Sequence, residues 1–237
     1  MKLFTIPNLL TLLNLFCGCS AAILLIEGPQ NNEVVMLLVA VSAVADFFDG
    51  LVARWLKQAS PIGKELDSLA DVVSFGLVPG LIARQMLLET LPHDWTHAAW
   101  VALMIPLFSA LRLAKFNVDE RQHQSFIGLP TPANTLFWLG LPLLFVQMGY
   151  HALDTRVQVV VLMVLIVLSS WVLIAELPLL ALKFSAFHWR GNEARWSLLI
   201  SGLLLLCAVG FACLPIIVLL YLLLSMIQQK TKHEIQS

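Results

Sequence analysis

The run Val34-Val-Met-Leu-Leu-Val-Ala-Val-Ser-Ala-Val-Ala-Asp46-Phe-Phe-Asp49-Gly50-Leu-Val52 is apolar almost throughout, yet it carries two carboxylates near its C-terminal end. Its length decides the fold class. About 20 apolar residues cross the roughly 30 Å hydrocarbon layer of a bilayer as an α-helix, which satisfies its own backbone hydrogen bonds where water is absent. Further runs at residues 9–26, 66–87, 98–116, 134–150 and 157–177 read the same way. The last apolar run, residues 196–227, is too long for one comfortable crossing, and Gly210 and Pro215 punctuate its middle, so it reads as a tight hairpin of two. The expectation is an all-α, polytopic transmembrane bundle of about eight spans. With 59% hydrophobic and 12% charged residues among 237, the whole chain, residues 1–237, reads as a single integral membrane domain rather than a soluble one.

Lysine and arginine collect in cytoplasmic loops. In this layout Lys2, Arg54, Lys57, Lys64, Arg112, Lys115, Arg121, Lys183, Arg190, Arg195, Lys230 and Lys232 share one side, and only Arg84 and Arg156 fall on the other. Both termini are therefore expected in the cytoplasm, and splitting the last run is what keeps Lys230 and Lys232 there. Met1-Lys2 before an apolar run resembles the start of a signal peptide, but without a small-residue cleavage pattern before the second span it reads as a retained first helix. Cys17, Cys19, Cys207 and Cys213 lie inside apolar spans, form no CxxC pair and read as buried thiols. The formal charge of −1, without a basic run interleaved with aromatics, gives no sign of a nucleic-acid partner.

Four acids, Asp46, Asp49, Asp67 and Asp71, lie at or inside the ends of the second and third spans. Each costs on the order of a few kcal/mol in that position, so an intramembrane acid is read as functional and as facing a partner or a wet cavity. At about 100° per residue, Asp46, Asp49, Gly50 and Ala53 share one stripe of the second helix. Gly63, Asp67 and Asp71, each four apart, share a stripe of the third. A short loop joins the two stripes, so they must face one another. Carboxylates packed that closely repel unless a cation intervenes, and an all-oxygen set with no nearby His or Cys favours Mg²⁺, Mn²⁺ or Ca²⁺. Such ions bridge phosphates, and two of them can clamp a displacement at phosphorus. Gly50, Ala53 and Gly63 leave room beside the acids, while Arg54 and Lys64 add positive charge at the rim. These are the parts of a diphosphate site.

Other residues invite plainer readings. His93 and His97 sit in the outer loop beside Trp95 and Trp100, remote from the acids. Trp189 and Trp196, with Arg190 and Arg195, read as interface anchors. Gly140 and Gly149 suit helix packing, and Glu176 either pairs with Lys183 or reaches the acidic cavity.

Written out, Asp46-Phe-Phe-Asp49-Gly50-Leu-Val-Ala53-Arg54, eight residues, Gly63, three, Asp67, three, Asp71 resembles the signature D-x2-D-G-x2-A-R-x8-G-x3-D-x3-D of the CDP-alcohol phosphatidyltransferase family. All specified residues match. The resemblance implies a six-helix catalytic core over roughly residues 5–178, with residues 196–228 an added hairpin. It implies metal on Asp46, Asp49 and Asp67, and for Asp71 a share in a second metal and the role of proton acceptor for the attacking alcohol. Gly50, Arg54 and Ser60 match positions that contact the CDP-linked donor, and Ala53, Gly63 and Lys64 belong to the same site. Ile6-Pro7-Asn8-Leu-Leu-Thr11 resembles the family's usual start of the first helix, which adds Asn8 and Thr11 to the donor side.

Three stretches are similar to the prokaryotic branch of the family whose acceptor is the hydroxyl of L-serine: Asp67-Ser-Leu-Ala-Asp71-Val-Val-Ser74-Phe75-Gly76, Arg112-Leu-Ala-Lys115-Phe116-Asn117 and Phe126-Ile-Gly128-Leu-Pro130-Thr-Pro132-Ala133. Ser68 and Val72 stand where the glycerol-phosphate branch tends to carry Pro and Lys. Arg112 and Asn117 are the expected serine contacts, since an Arg fork suits a carboxylate. The resemblance further implies a homodimer in the prokaryotic cytoplasmic membrane, with its site open to the cytoplasm and CDP-diacylglycerol held beside the membrane lipids. The competing readings are a sister transferase using glycerol 3-phosphate or inositol phosphate, and a cation-coupled transporter whose acids bind ions in transit.

Overall fold

The computed structural model describes residues 3–28, 32–119, 126–179 and 192–236. These residues are almost wholly helical. Helix α1 (Ile6–Glu27) starts where Thr5 Oγ1 accepts the Asn8 backbone N–H at 3.4 Å and Pro7 fills the first turn, a position that needs no N–H. Helix α2 (Asn32–Trp55) runs back alongside it. Helix α3 (Pro61–Asp71) is capped by Ser60, and continues through a π-helical turn, Val72–Leu77, into α4 (Val78–Thr90). A 3-10 helix, His93–Leu103, leads into α5 (Met104–Val118), so His93 and His97 lie on helical backbone rather than in a loop. Then follow α6 (Thr131–Gln147), α7 (Thr155–Ile174), α8 (Glu193–Val209) and α9 (Leu214–Gln236).

Among the described residues, six helical segments are long and apolar enough to cross a membrane: Ile6–Glu27, Glu33–Trp55, Pro61–Thr90, His93–Val118, Thr155–Ile174 and Glu193–Gln228. Two differences separate these from the expected eight spans. Helix α6, at 17 residues, is short for a crossing and begins three residues before the expected start. The final segment is one apolar run by composition, but it folds back at Gly210 (φ +67°) and the 3-10 turn Gly210–Cys213. A Cβ on Gly202 would stand 3.6 Å from Ile217, a distance possible only if α8 and α9 lie side by side. Among the described residues, otherwise without strands, one antiparallel pair of two-residue strands, β1 (Phe126–Ile127) and β2 (Pro178–Leu179), ties the approach to α6 to the segment after α7.

The packing is that of a protein whose solvent is lipid. Leu37, Val44, Val160, Leu203 and Leu204 point outward, while Asn8, Thr11, Asn14, Ser42, Asp49, Asp71, Arg112 and Asn134 are buried. One apolar core joins α1 and α2 to α4 through Ala21, Val35, Val39, Phe75, Val78 and Ile82. A second joins α4–α7 and α9 through Leu87, Ile105, Trp138, Leu162, Ile166, Leu173, Val218 and Tyr221. The chain is an integral membrane protein. Helices α6 and α9 touch at Gly140, where a Cβ would meet Pro215 Cδ at 2.6 Å and both Leu214 Cβ and the Phe211 carbonyl oxygen at 2.8 Å. Gly149, by contrast, has nothing within 4 Å and adopts φ +68°, so it turns the chain after α6 instead of packing helices. All four cysteines are free, with Cys17 and Cys213 buried but Cys19 and Cys207 on the exterior, because their helices are apolar all round. Lys2, Arg121, Lys183, Trp189 and Arg190 lie outside the described residues.

Candidate active site

The two acidic stripes do face one another. Asp46, Asp49 and Asp67 each present an oxygen, and these oxygens all lie within 4.8 Å of one another. Asp71, one turn beyond Asp67, is buried and within hydrogen-bonding range of Asp46. The site is built by three helices, because α1 supplies the groups that hold the acids in place. Thr11 Oγ1 donates to Asp49 Oδ2 at 2.5 Å and Asn14 Nδ2 donates to Asp71 Oδ1 at 3.2 Å. Asn14 is itself fixed by Ser42 of α2, whose Oγ donates to its side-chain oxygen, and by Ser74 of the π turn, whose Oγ donates to its backbone carbonyl at 3.1 Å. The last contact depends on Gly18, where a Cβ would come within 2.9 Å of the Ser74 Cα.

The residues present fit a divalent cation. The donor set is all oxygen, and Asp67 Oδ1 is buried without a hydrogen-bond partner, which a buried carboxylate oxygen seldom is unless a cation completes it. No His or Cys joins the cluster among the described residues.

Beside the acids lies an open cavity of about 230 Å³. Asn8, Thr11, Gly50, Ala53, Arg54, Ser60, Gly63 and Lys64 all line it, together with Asp49 and Asp67. The fold thus brings every expected donor-side residue to one place, though not always for the expected reason. Gly50 faces open space. A Cβ on Gly63 would meet Asn8 Oδ1 at 3.1 Å, so that glycine chiefly lets α3 approach the start of α1. Ser60 Oγ accepts the Gly63 N–H at 3.1 Å as the cap of α3, and the exposed Lys64 donates to the Asn117 carbonyl at 3.0 Å.

Arg112 and Asn117 part company. Arg112 is buried, within electrostatic range of Asp71, and its Nε has no partner. Asn117 sits on the rim, where its amide donates to Ser68 Oγ at 2.8 Å and so fastens the end of α5 to α3. Glu176 pairs with Lys115 at 3.1 Å, which bridges the end of α7 to α5, while the expected partner Lys183 lies outside the described residues. Sequence reading missed Asn14, although Asn8, Thr11 and Asn14 recur every three residues on one face of an apolar helix. It also missed the buried Asn134 and Tyr221.

A family model, CDP-alcohol phosphatidyltransferase, matches residues 4–182. Among curated relatives, the CDP-diacylglycerol–serine O-phosphatidyltransferase of Bacillus subtilis (strain 168) is 38% identical over 127 residues, covering 54% of this chain and 69% of the relative. The protein of the same name from Helicobacter pylori (strain 26695) is 33% identical over 172 residues, covering 70% and 68%. That from Mycobacterium tuberculosis (strain H37Rv) is 35% identical over 156 residues; 63% of this chain is covered, and the chain spans about half, 52%, of that longer relative. With the acidic signature assembled in space and the match running through most of the chain, this protein belongs to the CDP-alcohol phosphatidyltransferase family.

Proposed function

We propose that the chain transfers the phosphatidyl group of CDP-diacylglycerol to the hydroxyl of L-serine, giving phosphatidylserine and CMP. The observation that carries the transfer reading is the carboxylate cluster opening onto a cavity lined by every donor-side residue of the signature. The acceptor follows from the shared name of the relatives and from Arg112 beside Asp71.

Two divalent ions, Mg²⁺ or Mn²⁺ with Ca²⁺ also suiting the oxygen donors, would be held by Asp46, Asp49 and Asp67 and, for the second, by Asp71, and would supply charge neutralisation at the diphosphate. Arg54, Lys64 and the N-terminus of α3 receive the phosphate oxygens at the cavity mouth. Gly50 and Ala53 give the donor close access to α2, and Asn8 and Thr11 close the wall opposite. Asp71, oriented by Asn14, takes the proton of the serine hydroxyl as that oxygen attacks phosphorus. The bond from phosphorus to the CMP oxygen breaks and CMP leaves. Arg112 takes the serine carboxylate, and Asn117 meets the amino acid at the rim as it enters.

In the bilayer this reading takes eight crossings: α6 spans despite its length, and α8 and α9 cross separately. Both termini and the acidic site then face the cytoplasm of a prokaryotic cell, with residues 5–178 as catalytic core and 196–228 as an added hairpin, in a homodimer.

Release of CMP from CDP-diacylglycerol by the purified protein tests the reading, with L-serine, glycerol 3-phosphate, inositol phosphate or no acceptor in parallel, and with Asp71→Asn alongside. Serine-dependent release that needs a divalent cation and disappears in Asp71→Asn is the expected result. Release with another acceptor alone would leave the family and overturn serine, and no release from folded protein with any acceptor would leave ion passage as the better account.

A further inference from the structure

Buried polar side chains without partners gather at one level of the bundle. Neither amide atom of Asn134 has a hydrogen-bond partner although the residue is fully buried, and Thr131 Oγ1, Ser109 Oγ, Ser170 Oγ and Arg112 Nε are in the same condition. Contacts between elements fix their common depth. Thr135, next to Asn134, donates to the Phe75 carbonyl in the π turn just after Asp71. Ser109 sits against Gly76 of that turn, one helical turn before Arg112 on the same face of α5. Ser170 lies close to Val172, whose carbonyl accepts the Leu129 N–H at the approach to α6.

The C-terminal hairpin reaches the same level. Gln147 at the end of α6 donates to the Val209 carbonyl at the end of α8, and Gly140 meets Pro215, so α6 and α9 run antiparallel. Six residues on from that crossing, about 9 Å of helix rise, stand Asn134 on α6 and Tyr221 on α9. Asn134 lines a cavity together with Val218, Leu219 and Leu222 of α9. Tyr221 is buried and within electrostatic range of Arg112, which is in turn within range of Asp71.

We infer that Asn134 and Tyr221 complete, with Arg112, the subsite that holds the charged end of an amino-acid acceptor. This rests on the proposed transfer to serine and extends it to residues outside the signature. A buried primary amide with both its donor and its acceptor unpaired matches a zwitterion: its NH₂ donates to the carboxylate and its carbonyl accepts from the ammonium. A phosphate ester, which offers only acceptors and hydroxyls, has no ammonium for that carbonyl. Tyr221 acts through Arg112 as a positioning residue, holding the guanidinium on the Asp71 side of the bundle. The added hairpin thereby contributes to acceptor choice as well as to packing.

Kinetics of the full-length protein test this with serine and CDP-diacylglycerol varied separately, in the wild type, Asn134→Leu and Tyr221→Phe. Asn134→Leu should raise the serine KM at least tenfold, leave the donor KM within twofold and leave Tm unchanged or higher, because an apolar isostere relieves an unpaired buried amide. Tyr221→Phe, which keeps the ring, should raise the serine KM three- to tenfold and carries the test if Asn134→Leu does not fold. A serine KM unchanged in the folded variants overturns the inference, even if kcat or Tm falls, and leaves the serine reading standing whenever the wild type releases CMP with serine. A wild type that uses only a phosphate ester removes both.

Discussion

Asn14 is the residue on which the geometry of the four acids most depends. Its amide donates to Asp71 while its two oxygens are held by serines from α2 and the π turn, so one side chain sets the position of the base relative to both acid-bearing helices. Asn14→Leu keeps the volume and deletes the side-chain bonds to Asp71 and from Ser42, leaving the Ser74 bond to the backbone carbonyl. It should lower kcat for CMP release at least tenfold, leave the donor KM within about twofold, and cost about 1–3 kcal/mol of stability through the polar groups it leaves unpaired, which steady-state kinetics and thermal unfolding measure separately. The acids themselves were legible from their spacing alone, because a carboxylate in an apolar run demands an explanation. Asn14 was less legible, since an amide in a membrane helix serves packing as readily as chemistry. Asn134 was not legible at all, because being unpaired is a property of its surroundings and not of its identity.

At the scale of elements, the contact between α6 and α9 is made where glycine lets two helices close to backbone distance. Gly140→Val would drive a branched side chain into Pro215, Leu214 and the Phe211 carbonyl. Overpacking of that kind costs roughly 1–3 kcal/mol. It should lower Tm and, by moving α9 away, raise the serine KM more than the donor KM; equal effects on the two would mean that the hairpin only stabilises the bundle. The hydropathy pattern gave helix positions to within a few residues and the fold-back of the last run. It did not separate Gly210 from Pro215 as the breaking residue: the left-handed Gly210 ends α8, while Pro215 sits in the first turn of α9, where proline is tolerated. The start of the 3-10 helix, His93 to His97, was also hidden, because its composition is that of a polar connection.

For the molecule as a whole, the acidic cluster joins helices from opposite sides of a loop, so a cation bound there acts as a cross-brace between α2 and α3. Chelation by EDTA should abolish CMP release, and adding Mn²⁺ or Mg²⁺ should restore it and raise the Tm of the wild type by a few degrees but not that of Asp46→Asn, since a ligand that binds only the folded state stabilises it. An unchanged wild-type Tm with saturating cation would count against the site. One feature of the third long helix reaches furthest. The π-helical turn Val72–Leu77 takes up one residue more than a regular turn would, and so advances the phase of everything after it by about 100°. That offset lets a single rod point Asp67 and Asp71 toward α2 at one end while Phe75, Val78 and Ile82 enter the core against α1 and α2 farther along. Removing a single residue there would leave the hydropathy profile and the signature almost untouched, yet the rod could then serve its chemistry or its packing and not both; catalysis here depends on a helix being out of step with itself.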